Sequence, residues 1–148
     1  MSHTYISDLV HCVFSTKGRR NLIKQGLQQD LWSYLGGIAR NNGFKALAIG
    51  GTENHVHILL SVPATMALAK AVQLLKGGPS KWLNETHGGL FAWQEGYGAF
   101  SLGVAQQADA VRYINSQREH HCKRSFEDEF LAFLKKHGIE QDPKYVWG

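Results

Sequence analysis

Cysteine is scarce in this chain. It has only two, Cys12 and Cys122, among 148 residues. They form neither a Cys-x-x-Cys motif nor a disulfide framework, so a reducing compartment is expected. Proline is scarcer than usual, with three residues, and no linker, repeat or low-complexity segment divides the chain. One domain spanning residues 1–148 is the simplest division, since a chain of this length buries roughly two-thirds of its unfolded surface. No apolar run approaches the roughly 20 residues that cross a membrane, and the start, Met1-Ser2-His3-Thr4, carries no apolar signal region. The expected location is the cytoplasm, with no membrane partner. Acidic residues are outnumbered, 12 against 16 Lys and Arg, which leaves a formal charge of +4. That excess favours a polyanionic partner but is modest on its own.

What the chain does have is His55-Val56-His57 inside an aliphatic run that ends at Pro63. The run reads as a buried strand. Residues i and i+2 share a face of a strand, roughly 6.5–7 Å apart, so the two imidazoles point the same way and Val56 points oppositely. Two readings fit the bare pair: a shared cation site, or ordinary polar residues on a half-exposed strand. Further along, Ala108 to His121 runs without Gly or Pro, with Asp109 near its start where a carboxylate suits the free N–H groups. Tyr113 and Gln117 are four apart, hence neighbours on one helix face, and His121 continues the row. A tyrosine so placed is core, or it is a nucleophile. A phenol with its pKa near 10 attacks poorly unless the phosphate is activated, which a divalent ion does. Attack would leave a covalent phosphotyrosine that keeps the bond energy for rejoining.

Other enzyme classes drop out. Histidine-triad hydrolases need a third histidine where Leu59 stands, and no His-x-Thr/Ser pair supports a two-histidine phosphodiesterase.

The remaining elements follow from periodicity. Leu9 to Phe14 reads as a first strand. Leu27, Leu31, Tyr34, Leu35 and Ile38 mark a helix ended by Gly43. Phe44 to Ile49 is a second strand, turned by Gly50-Gly51-Thr52 into the histidine strand. Leu68, Ala71, Val72 and Leu75 mark a helix stopped by Gly77-Gly78-Pro79, followed by a short helix over 80–86. Trp93 to Leu102 is a fourth strand before the tyrosine helix. A capping box at Ser125 opens a last helix carrying Phe126, Phe130, Phe133 and Leu134. The pattern predicts an α+β architecture, an antiparallel sheet with helices packed on it. The apolar first strand is expected to offer an edge to a second copy.

His55-Val56-His57, Tyr113 with Gln117, the stretch Trp93-Gln94-Glu95-Gly96-Tyr97-Gly98-Ala99-Phe100-Ser101 and the ending through Tyr145-Val146-Trp147 together resemble one family. It is that of the single-tyrosine HUH transposases of small bacterial insertion sequences and their palindrome-associated relatives. The likeness runs from about Tyr5 to Trp147. It implies a ferredoxin-like or RRM-like HUH endonuclease fold and the cleavage and rejoining of single-stranded DNA at hairpin-marked ends. It also implies a 5′-phosphotyrosine on Tyr113, and Mg²⁺ or Mn²⁺ held by His55, His57 and Gln117. Imidazole ligands suit Mn²⁺ better than Mg²⁺. The partners implied are DNA hairpins and a second copy of the chain, with no small-molecule substrate; in some states of the family the tyrosine of one subunit serves the histidines of the other. A relative that had lost mobility would instead bind hairpins as a regulator. Lys17, Arg19, Arg20, Lys76 and Lys81 are candidate phosphate contacts. His11, His120 and His121 are candidates for orienting the site from behind its ligands.

Overall fold

The computed structural model describes residues 3–86, 89–121, 124–142 and 146–147, except the side chains of His120 and His121. Four strands form one antiparallel sheet: β1 (Leu9–Ser15), β2 (Lys45–Gly51), β3 (His55–Ser61) and β4 (Gly98–Leu102), in the order β2-β3-β1-β4. The helices are α1 (Gln28–Asn41), α2 (Leu68–Thr86), α3 (Gln107–Asn115), α4 (Gln117–His121) and α5 (Phe126–Lys136). This is the α+β arrangement expected from the periodicity. Among the described residues no helix is long and apolar enough to cross a membrane.

β1 is buried along its whole length because it is flanked by β3 and β4. It therefore has no free edge, which overturns the expectation that it pairs with a second copy; β2 and β4 are the outer strands. Alternation of side chains divides the core. Val10, Cys12, Phe14, Val56, Ile58 and Leu60 pack with α1 and α2 on one face. On the other, Leu9, Leu59 and Ala48 meet Ile114 of α3, and Val13 and Phe100 meet Phe126 and Leu134 of α5. His11, His55 and His57 belong to this second face by their odd positions. The sheet is thus a floor for the histidines, and α3, α4 and α5 are the roof.

Four boundaries differ from the sequence reading. The fourth strand, expected from Trp93, begins only at Gly98, and Trp93 makes an isolated bridge to Thr16. α2 runs through Gly77-Gly78-Pro79 instead of stopping there. A proline inside a helix removes one hydrogen bond, yet Leu75, Pro79 and Leu83 form a buried stripe at four-residue spacing. Gly78 faces α1, where a Cβ would lie 2.9 Å from the tip of the Ile38 side chain. Packing outweighs the local propensity. Gly50 and Gly51 belong to β2, and the turn lies at 52–54. Finally, the tyrosine helix breaks at Ser116 (φ −111°, ψ 27°), between α3 and α4. The Ser116 hydroxyl donates to the carbonyl of Arg112 at 2.7 Å, competing for the backbone acceptor of the last turn.

Candidate active site

β3 delivers His55 and His57 side by side, with ring centroids 5.1 Å apart. Both are fully buried, as are Gln117 and Glu129 to within 2%. The half-exposed strand reading is therefore excluded. Four ligand-capable atoms converge. His57 Nε2 lies 2.9 Å from Glu129 Oε1, His55 Nε2 lies 3.7 Å from the same oxygen, and Gln117 Oε1 lies 3.2 Å from His55 Nε2.

The surroundings decide which way these groups face. His55 Nδ1 is 2.8 Å from Asn54 Oδ1 and 3.1 Å from Thr52 Oγ1. Asn54 Nδ2 donates to the carbonyl of Arg19, which orients the amide with its oxygen toward the ring. His55 Nδ1 is thus the protonated nitrogen, and Nε2 aims a lone pair at Gln117 and Glu129. Gln117 Nε2 donates to the carbonyl of Tyr113 at 3.3 Å, so its Oε1 turns inward. With a lone pair on each Nε2, the two imidazoles, the carboxylate and the amide oxygen could share one buried cation. This donor set fits a divalent ion. His55, His57 and Glu129 are the group among the described residues whose donor atoms gather within 4.8 Å.

His11 on β1 stands behind His57, with Nε2 2.7 Å from His57 Nδ1. Burial first, and then the neighbouring His57, push its pKa down to about 3. In the tautomer with the His57 proton on Nδ1, the neutral His11 ring accepts a hydrogen bond at its Nε2, and His57 Nε2 is left to act as a ligand. Phe126 stacks on the His55 ring at 4.4 Å and holds its plane.

Tyr113 reaches the cluster from α3. Its ring centroid is 5.8 Å from that of His57, and its hydroxyl donates to Glu129 Oε2. Burial, followed by that hydrogen bond and the charge of Glu129, raises the phenol pKa above its ordinary value, so the group holds its proton in this arrangement. Glu129 therefore bridges the histidines and the tyrosine, one carboxylate oxygen to each side.

Glu129 was missed in the sequence. Its carboxylate suits the first turn of a capped helix, which is how the segment read. The available signal was its phase: residues 126, 129, 130, 133 and 134 form one stripe, so Glu129 occupies a core-facing position. The other expected residues are scattered. Arg19 lies 3.3 Å from Glu127 and its guanidinium sits 4.8 Å over Trp147, next to the first turn of α5. Arg20 Nε donates to the carbonyl of Lys17, and Lys17 is exposed on the same turn. Lys76 donates to the carbonyls of Gln94 and Gly96, pinning that loop. Lys76 and Lys81 belong to α2, on the sheet face away from the histidines. The side chains of His120 and His121 lie outside the described residues.

Comparison with known proteins gives a consistent result. The profile of the family described as IS200-like transposases matches residues 5–117. The chain is 26% identical over 116 residues to the ISDra2 transposase TnpA of Deinococcus radiodurans, covering 74% of this chain and 83% of that one. Its fold is similar to that of a REP-associated tyrosine transposase solved with a REP hairpin, with a TM-score of 0.62 at 16% identity over 100% of this chain and 95% of that one. A crystal structure from Deinococcus radiodurans R1 superposes with the same TM-score, 0.62, at 22% identity, over 77% and 94% of the two chains.

Proposed function

The chain belongs to the family of IS200-like transposases, and from that premise we propose that it cleaves and rejoins single-stranded DNA at hairpin-marked ends through a 5′-phosphotyrosine on Tyr113. The observation that carries this reading is the Tyr113 hydroxyl bonded to Glu129, whose other oxygen lies against His57. Nucleophile and cation site are thereby one connected unit. His55, His57 and Glu129, with Gln117 beside them, would hold the metal ion. When bound, Mg²⁺ or Mn²⁺ polarises a phosphate oxygen and makes the phosphorus easier to attack.

The chain's own groups do the rest. The phenol oxygen bonds to phosphorus as the bond from phosphorus to the 3′ oxygen breaks. The phenol proton passes to Glu129 Oε2, the atom that already accepts its hydrogen bond. The 3′ oxygen takes a proton from water and leaves as a hydroxyl, while the 5′ phosphate stays on Tyr113. Attack by another 3′ hydroxyl reverses the step, joins a new strand and restores the phenol. The hairpin as recognition element is carried over from the relative solved with one.

The test is a hairpin oligonucleotide with a single-stranded extension, incubated with Mn²⁺ and resolved under denaturing conditions. A protein–DNA adduct forms with the native chain and disappears in Tyr113→Phe, while hairpin binding survives. Hairpin binding with no adduct from the native chain would point instead to a hairpin-binding regulator.

A further inference from the structure

A cavity of about 180 Å³ opens beside the nucleophile, lined by Tyr113, Arg124, Glu129, Ala132, Phe133 and Lys136. Two of its lining residues, Arg124 and Lys136, are cations. Arg19, Arg112 and Arg118 each have a carboxylate partner, and Lys76 is tied to backbone carbonyls. Arg124 and Lys136 have neither a carboxylate nor a hydrogen-bond acceptor among the described residues. Both are exposed at their positions after α4 and at the end of α5. They line the cavity with no such partner among the described residues.

The chemistry of the site demands something there. A phosphate carried on Tyr113 sits one bond from the phenol oxygen, so its free oxygens occupy the space that Tyr113 itself lines. That space also contains the Glu129 carboxylate, which repels an anion. We infer that Arg124 and Lys136 form a binding site for the phosphate group retained on the 5′ end of the cleaved strand, offsetting Glu129 and holding that phosphate against Tyr113. A guanidinium grips two phosphate oxygens in parallel, and an ammonium supplies a point charge from the other side. The Arg124 charge is already felt at the phenol, where it partly opposes the upward push of burial and Glu129. The Lys136 charge reaches His11 behind the metal ligands. Lys136, Tyr113 and Phe133 also line a second cavity of about 380 Å³ that extends past Phe100 and His137. Lys136 thus stands where a strand entering from that side meets the phosphate pocket.

This assignment rests on the strand-cleaving reading but can be tested apart from it. In a Tyr113→Phe background, which forms no adduct, the probe is a thymidine trinucleotide with either a 5′ phosphate or a 5′ hydroxyl, titrated calorimetrically in Mg²⁺. The 5′-phosphorylated probe binds about tenfold more tightly, the order expected for charge-assisted hydrogen bonds at a half-open site. Arg124→Ala with Lys136→Ala abolishes that preference, and Arg124→Lys restores only part of it, because the paired contact is lost. Thermal melting of each variant confirms an intact fold, which both exposed positions favour. An unchanged preference in the double variant, or none in the parent, overturns the assignment. Adduct formation by the native chain with no effect of the double variant would leave the cleavage reading standing alone. A phosphate preference without any adduct would leave the pocket standing and remove the cleavage reading.

Discussion

Glu129 is the residue on which the site turns. It is 2% exposed and contacts both histidines and the tyrosine. A buried carboxylate with no cation beside it is costly, so ion binding should depend on it. Glu129→Gln keeps the shape and removes the charge; the expected result is a drop of at least about tenfold in Mn²⁺ affinity by calorimetry, within the range seen when groups around a metal are altered. Equal affinity in the two proteins would take Glu129 out of the ligand set. His11 makes a second prediction, about pH. Its folded pKa of about 3 lies below the ordinary 6.5, so below pH 6.5 the unfolded chain takes up a proton that the folded chain refuses. Its contribution is fully present above pH 6.5 and is lost as pH falls toward 3. Over the first pH unit below 6.5 the loss is about 1 kcal/mol. In His11→Asn, denaturant unfolding at pH 7.5 and 5.5 should show an acid loss smaller than in the native chain by about 1.4 kcal/mol, the loss over that wider span. Identical acid losses would show that His11 does not remain neutral in the folded protein.

At the scale of elements, the position of α3 decides whether Tyr113 reaches the site. α3 rests on β2 at Gly50, where a Cβ would lie 2.1 Å from the carbonyl oxygen of Ile114, the residue after Tyr113. The missing side chain is what lets the helix descend. Gly50→Ala must lift α3, because the obstructing atom is backbone. Overpacking of this kind costs about 1–3 kcal/mol. The expected outcome is a loss of stability in that range by denaturant unfolding, with adduct formation falling more steeply than hairpin affinity. A variant of native stability and activity would mean that α3 does not bear on Gly50. The break at Ser116 has a related effect: it ends α3 just past Tyr113 and starts α4 at Gln117, so each side chain is aimed by its own short helix.

At the scale of the whole molecule, the candidate nucleophile and the two histidines lie together within one chain. The Tyr113 ring lies 5.8 Å from that of His57, which lies 5.1 Å from that of His55. The family resemblance allows exchange of the tyrosine between subunits, and the two arrangements predict opposite results. With the site completed within one chain, mixing Tyr113→Phe protein with His55→Ala/His57→Ala protein gives no adduct, since every site lacks a component. Recovery of adduct on mixing would establish exchange. A dimer, if formed, has β2 and β4 as its available sheet edges, since β1 is enclosed.

The sequence alone determined the alternation of strands and helices, and the phase that puts His55 and His57 on one face. These are properties of neighbours along the chain, where a period of 2 or 3.6 fixes direction. The pairing of Tyr113 with Gln117 was legible for the same reason, and the family likeness told which chemistry to expect of them. Tertiary structure decided what depends on distant segments. Glu129 and His57 are 72 residues apart, and His11 and His57 are 46 apart; no local pattern relates them. The continuity of α2 through Pro79, the enclosure of β1 and the gathering of Arg124 and Lys136 around Tyr113 arise in the same way. Each is settled by which surfaces pack together, because burial across the sheet outweighs the local preferences that sequence reading relies on.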